Sequence, residues 1–318
     1  MIFMYGKALF GLILNAKFTR SNGKKILIIN HGALGDFVHS IPLIQYLKDN
    51  GYSVDVSTKE NNKIPGLNIN YNVQGYTSYD IIFNINAPKS MWVGLFFANT
   101  FDLLGEKIGL KYIKKNWIEI HWAEFYLKTV QKILNLPDPK PLNRLSTTKE
   151  AILIHPGGSF IGKSWGIDNF VWLANELCTK NKIWVILGPN EYDLAPHFIQ
   201  NGSIEVILSR NMEDLVNTMK YAKMFIGNDS GVMHTASLFD IPVFGIYTVG
   251  CATTHYPYTS KGFYYFDPEQ FNSFYKHHKI TQSNLTKKMC FDQVISILDG
   301  KSILINANFN FTRFSKGL

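Results

Sequence analysis

Cysteine is scarce: Cys178, Cys251 and Cys290 are the whole complement in 318 residues, and they are far apart. An odd, scattered set implies neither a disulfide framework nor a metal cluster, and it fits a reducing cytosol. Charge is thin as well, at 18% Asp, Glu, Lys and Arg against 46% hydrophobic residues. That balance excludes a disordered chain and leaves ample material for a core. Low-complexity basic tails and zinc-type spacings are absent, which argues against a nucleic-acid partner. Neither half carries a proper G-x-G-x-x-G with a following acid, and the "GKS" at 162–164 does not have P-loop spacing. A dehydrogenase and a P-loop enzyme are therefore set aside.

What is present is a basic surplus, a formal net charge of +8. It favours an anionic partner: nucleic acid, a membrane surface or a phosphorylated substrate. The apolar "ALFGLILNA" near the start is flanked by Lys7, Lys17 and Arg20. It falls short of the ~20 apolar residues that a membrane span requires. It reads as an amphipathic segment, either lying on an anionic membrane face or packed on its own protein.

The pattern along the chain alternates strand and helix. "KKILIIN" at 24–30 is an unbroken β-branched run, as expected of a strand buried on both faces of a parallel sheet. The segment "FVHSIPLIQYLKDN" places Phe37, Ile41, Ile44 and Leu47 on one helical face, with Pro42 either kinking it or sitting in its first turn. "YSVDVST" and "YDIIFNI" read as strands, and roughly 90–135 as a long helical region. "LPDPKPLNRLSTTKE" at 136–150 is a proline-rich hinge, after which strand–helix alternation restarts with "AILIHPG". The divisions are an N-terminal extension 1–23, a first Rossmann-like domain 24–140, a linker 141–150, a second such domain 151–300, and a tail 301–318. In sheets of this kind ligands sit beyond the carboxyl ends of the strands.

Four segments carry chemistry, each just after a strand. In "NHGALGDFVHS", Gly32 and Gly35 permit a tight turn. Asp36 is either a helix cap or a carboxylate able to take a proton from a hydroxyl. His31 and His39 either orient a polar substrate or are surface residues. In "HPGGSFIGKSW", Gly157 and Gly158 offer N–H groups to an anion, and Ser159 and Lys163 can bond or neutralise a phosphate. The alternative is an ordinary loop with a solvated lysine. In "LGPNEYD", Glu191 either accepts from ribose hydroxyls or is a solvated helix-start residue. In "FIGNDSGVMHTAS", a helix starting near Asp229–Gly231 would turn free N–H groups toward a diphosphate. Ser230 adds a hydroxyl, and His234 lies one turn on. Asp229 would repel a phosphate, so it is read as a cap or as an acceptor for sugar hydroxyls beside the phosphates.

These segments, in this order, resemble glycosyltransferase family 9, the bacterial lipopolysaccharide heptosyltransferases. The matching stretches include "ILIINHGALGDFVHSIPLIQYLK", "IHWAEFYL", "ILIHPGGSFIGKSWGIDNFVWLANEL", "VILGPNEYD" and "FIGNDSGVMHTASLFDIPVFGIYT", spanning about 24–260. The resemblance implies an α/β fold of GT-B architecture, two Rossmann-like parallel-sheet domains facing a cleft. It implies acceptor binding by the first half, with Gly35 and His39 on the acceptor side and Asp36 as general base. It implies donor binding by the second half, through Gly157, Ser159, Lys163, Glu191, Asp229, Ser230, Gly231 and His234. An inverting transfer with no metal and no cofactor follows from it, from ADP-heptose to a lipopolysaccharide core or similar phosphorylated glycolipid, in the cytoplasm with peripheral membrane contact. The chain departs from the family pattern at Asn84-Ile85-Asn86-Ala87, on the acceptor side. Two other readings share the donor half without needing Asp36: a sugar-nucleotide epimerase and a non-catalytic nucleotide-sugar-binding protein.

Overall fold

The computed structural model describes residues 24–75, 78–86, 100–102, 120–158, 161–198, 202–248, 252–266 and 285–301. The readings placed on 1–23, on 302–318 and on Ser159 lie outside these residues. The chain divides into two compact units between Asn143 and Arg144.

The first unit runs β1 (Lys25–Asn30), α1 (Leu34–Asp49), β2 (Ser53–Thr58), β3 (Ile81–Asn86), β4 (Thr100–Asp102) and α2 (Trp122–Leu134). Its strands form one parallel sheet in the order β2-β1-β3-β4. Ile26, Leu27 and Ile28 on β1 are fully buried, as an unbroken apolar run on a central strand predicts. Phe37, Ile41, Ile44 and Leu47, the predicted helical face, are all buried, and α1 packs against α2 and β2.

One open reading is settled and one expectation is corrected. The helix begins at Leu34, so Pro42 lies in its interior rather than in its first turn. There it removes one backbone donor. The region 90–135 is not one helix, because β4 lies inside it and pairs with β3. Aromatic richness alone cannot tell a helix from a strand, since aromatics suit both.

The second unit runs β5 (Ala151–His155), α3 (Ile167–Leu177), β6 (Ile183–Leu187), β7 (Ile204–Leu208), α4 (Met212–Met219), β8 (Ala222–Asn228), α5 (Gly231–Ala236), β9 (Val243–Tyr247), α6 (Ala252–His255), β10 (Gly262–Phe266) and α7 (Lys287–Leu298). Its six parallel strands are ordered β10-β9-β8-β5-β6-β7. Ile152, Ile154, Met224 and Ile226 from the two central strands meet Phe170 and Leu173 of α3 in a closed core. Burying each such side chain contributes about 1.5–3 kcal/mol. Gly227 sits where β8 passes β5, and a Cβ there would stand 2.9 Å from the His155 carbonyl oxygen. Among the described residues no helix is long and apolar enough to cross a membrane.

Candidate functional site

In each unit the chemistry-bearing residues follow the carboxyl ends of parallel strands. In the first unit the turn after β1 is organised by Asn30, which is fully buried. Its amide oxygen accepts from Gly32 N at 3.1 Å, and its Nδ2 donates to the Asp36 carbonyl at 3.0 Å and to Ser40 Oγ at 3.3 Å. Asn62 Nδ2 holds the Gly32 carbonyl from the other side at 3.2 Å. Asp36 is the third residue of α1, and its Oδ2 accepts from Ala33 N at 3.0 Å. It is therefore the back-reaching half of a capping box. Ala33 has no side-chain acceptor to supply the other half. Asp36 remains part-exposed in the same turn as Gly35.

His39 is 3% exposed and faces inward. Its ring meets His121 edge-on, with centroids 4.9 Å apart. His121 caps α2, accepting from Ala123 N at 3.0 Å.

In the second unit one buried carboxylate gathers most of the predicted residues. Asp229 Oδ2 lies 2.6 Å from Lys163 Nζ, and its Oδ1 lies 3.4 Å from His234 Nε2. Burial by itself would raise the Asp229 pKa. The His234 hydrogen bond and the charges of Lys163, His234 and His255 outweigh it and hold the carboxyl well below the usual carboxylate range. Asp229 is thus not the cap of α5. Ser230 is, its Oγ accepting from Met233 N at 3.3 Å. Gly231 opens the helix, whose first N–H groups have no intrahelical acceptor. The helix has six residues, so these N–H groups count for more than a long-helix dipole.

A second carboxylate stands beside the first cluster. Glu191 follows Gly188 at the end of β6 and lies in a 3-10 stretch, Pro189–His197. Its Oε2 accepts from Gly188 N at 2.8 Å and bonds His155 Nε2 at 3.0 Å. Burial raises its pKa and the His155 and Gly188 bonds lower it, with a net depression. The other His155 nitrogen, Nδ1, is 3.5 Å from Ser230 Oγ. Gly157 packs on the Glu191 carboxylate so closely that a Cβ would overlap it. His155 therefore links the Glu191 side of the site to the Asp229 side.

Asn228, fully buried at the end of β8, fixes the loops around this cluster. Its Oδ1 accepts from Trp165 N at 3.0 Å, and its Nδ2 donates to the carbonyls of Pro156 at 2.7 Å and Gly157 at 3.1 Å. Thr248 Oγ1 adds a bond to the Gly162 carbonyl at 2.8 Å. The 3-10 turn Ile161–Lys163 is pinned in this way, and Lys163 is aimed at Asp229.

The structure thus brings Gly157, Lys163, Glu191, Asp229, Ser230, Gly231 and His234 together. Asp36, Gly35 and His39 lie in the other unit. Sequence reasoning did not assign His155, Asn228 or His255. His155 and Asn228 stand inside the quoted motifs, each directly after an apolar strand, and that position was the available signal. His255 had none, because α6 is four residues long and its segment has no periodic pattern. Among the described residues no group of three His, Cys, Asp or Glu side chains is placed to hold a metal ion.

The chain is similar in fold to solved structures of known proteins. The E. coli heptosyltransferase WaaC, solved with ADP, is similar at a TM-score of 0.63 and 14% identity, over 86% of this chain and 99% of that one. A glycosyltransferase family 9 protein from Veillonella parvula is similar at 0.69 and 14% identity, over 87% and 98%. E. coli ADP-heptose LPS heptosyltransferase II is similar at 0.62 and 14% identity, over 87% and 99%. At such identity the likeness shows the fold, α/β of GT-B architecture. No curated protein sequence matches the chain. The sequence profile of glycosyltransferase family 9 (heptosyltransferase) matches residues 99–264, which is more than half of the chain. This protein belongs to glycosyltransferase family 9.

Proposed function

We propose that this glycosyltransferase moves a heptose from ADP-heptose onto a lipopolysaccharide core or a similar phosphorylated glycolipid, with inversion at the anomeric carbon and without a metal ion. The observation that carries the reading is the buried Asp229 with Lys163 and His234 beside it, at the carboxyl edge of the second unit's sheet. The solved neighbours bound to ADP and to ADP-2-deoxy-2-fluoro heptose support ADP-heptose as donor.

Asp36 takes the proton of an acceptor hydroxyl. That oxygen attacks the anomeric carbon from the face opposite the diphosphate, the new C–O bond forms, and the bond to the nucleoside diphosphate breaks. One displacement gives inversion. Charge accumulates on the departing diphosphate. Lys163 and the first N–H groups of α5 are preorganised to meet it, which is the task a divalent cation performs elsewhere. Asp229 is tolerable there because Lys163 and His234 offset its charge. Each of its oxygens keeps a further lone pair for a sugar hydroxyl, while Glu191 and Gly157 line the nucleotide side. The reaction takes place at the cytoplasmic face of the membrane that holds the acceptor.

Asp36→Asn is expected to lower kcat by roughly a hundredfold or more, the usual weight of a general base, while ADP affinity stays within a few-fold. Near-normal turnover would refute the base assignment. Transfer by the wild type is also expected to survive excess EDTA undiminished, as read by product mass spectrometry. Loss that added Mg²⁺ or Mn²⁺ restores would refute metal independence.

A further inference from the structure

The carboxyl ends of β1 and β2 carry a second group of polar side chains that the scheme above does not use. The two strands pair in register, Ile29 with Ser57 and Asn30 with Thr58. His31 and Lys59 are the next residues on each strand. His31 Nε2 lies 2.9 Å from Ser57 Oγ. The backbone between them is braced, since Asn62 Nδ2 bonds both the Gly32 carbonyl at 3.2 Å and Thr58 Oγ1 at 3.4 Å.

The carboxylates nearby are already engaged, Asp36 with Ala33 N at 3.0 Å and Glu60 with Lys63. The register sets Lys59 beside His31 at the ends of paired strands, and burial first, then the Lys59 charge, lower the His31 pKa. The nearest acid in sequence, Glu60, is engaged with Lys63 at 2.7 Å. Lys59 is exposed and makes no ion pair among the described residues. An imidazole held by a hydroxyl, with an ammonium on the neighbouring strand end and no ion pair to a carboxylate among the described residues, matches an oxyanion. They stand at the start of the turn that carries Asp36.

We infer that His31, Ser57 and Lys59 form a subsite for an anionic group of the acceptor, a phosphate or carboxylate close to the hydroxyl that reacts. The inference rests on the transferase reading for its acceptor, but not for the subsite itself. Lys59 attracts the group, and His31 and Ser57 orient it. An acceptor without such a group would bind more weakly while its bound form reacts at a similar rate. These side chains are positioning residues, not catalytic ones.

Two measurements test it. In NMR spectra of the full chain, the His31 ring resonances, assigned by their loss in His31→Gln, are followed while methyl phosphate or acetate is added. The expected result is a saturable shift that disappears in Lys59→Gln and persists in Lys163→Gln. A shift that does not saturate, or that survives Lys59→Gln, overturns the subsite. In transfer assays with ADP-heptose and envelope glycolipid, Lys59→Gln is expected to raise acceptor KM about tenfold to a hundredfold, the value of a charged hydrogen bond. Donor KM and kcat should stay within a few-fold, and an unchanged acceptor KM overturns the subsite. Phosphatase treatment of the glycolipid erases the gap between wild type and variant if the group is a phosphate, and leaves it if the group is a carboxylate. If the wild type transfers nothing, the functional reading fails, and the NMR titration still decides the subsite.

Discussion

Asp229 is 5% exposed and yet gives up its proton more readily than a carboxylate in water. An unpaired charge at that depth would be costly, and the Lys163 and His234 contacts are what keep it ionised. The sign of its pH dependence follows. A depressed folded pKa contributes stability that is fully present above the unfolded value near ~4 and is lost progressively as pH falls from there through the folded pKa. Glu191 acts in the same direction. Urea midpoints measured from pH 7 down to pH 2 should therefore fall steeply in the acid limb for the wild type. In Asp229→Asn the protein should be less stable at pH 7 and its acid limb shallower. An equally steep limb in the variant would mean that the carboxylate is not the titrating group.

At the scale of elements, the second unit's site depends on loops joined through one amide. Asn228→Ala would leave Trp165 N and the Pro156 and Gly157 carbonyls without their buried partner. The expected cost is about 3 kcal/mol, from the desolvation of orphaned backbone groups, read as a shift in urea midpoint. Donor KM should rise with it, because Lys163 and Gly157 ride on the loops released.

Most of these elements were legible from periodicity, as β1, β5, β6 and β8 are apolar runs bounded by turns and β2 alternates Val54 and Val56 with polar residues. β7, β10 and α7 were not read. Glu205 breaks the apolar run of β7, which lies at the sheet edge where one face need not be apolar. The start of α1 was placed late because an alanine cap gives no sequence signal, whereas Asp36 gives a strong one in the wrong register. The residues gathered in the second unit were legible as types at strand ends. Their pairings were not, since His155 and Glu191 are 36 positions apart and meet only through the sheet.

For the whole molecule, donor binding should be local to one unit. With ADP added, amide hydrogen exchange is expected to slow after β5, β6 and β8, while the Gly32–Asp36 turn keeps its rate. ADP should also raise the melting temperature more than UDP at equal concentration. Stronger stabilisation by UDP would argue against ADP-heptose.

The boundary between the units has a practical side. The half-buried Arg144 guanidinium bonds the Ser237 carbonyl at the end of α5 and the Tyr258 carbonyl, and Leu145 pairs with Phe239. The first residues after the prolines are thus already part of the frame under α5. Anyone splicing the second unit onto another family member's first unit should place the seam between 136 and 143. A seam drawn at β5, where the sheet begins, would exchange Arg144 along with the foreign half and leave α5 without its footing.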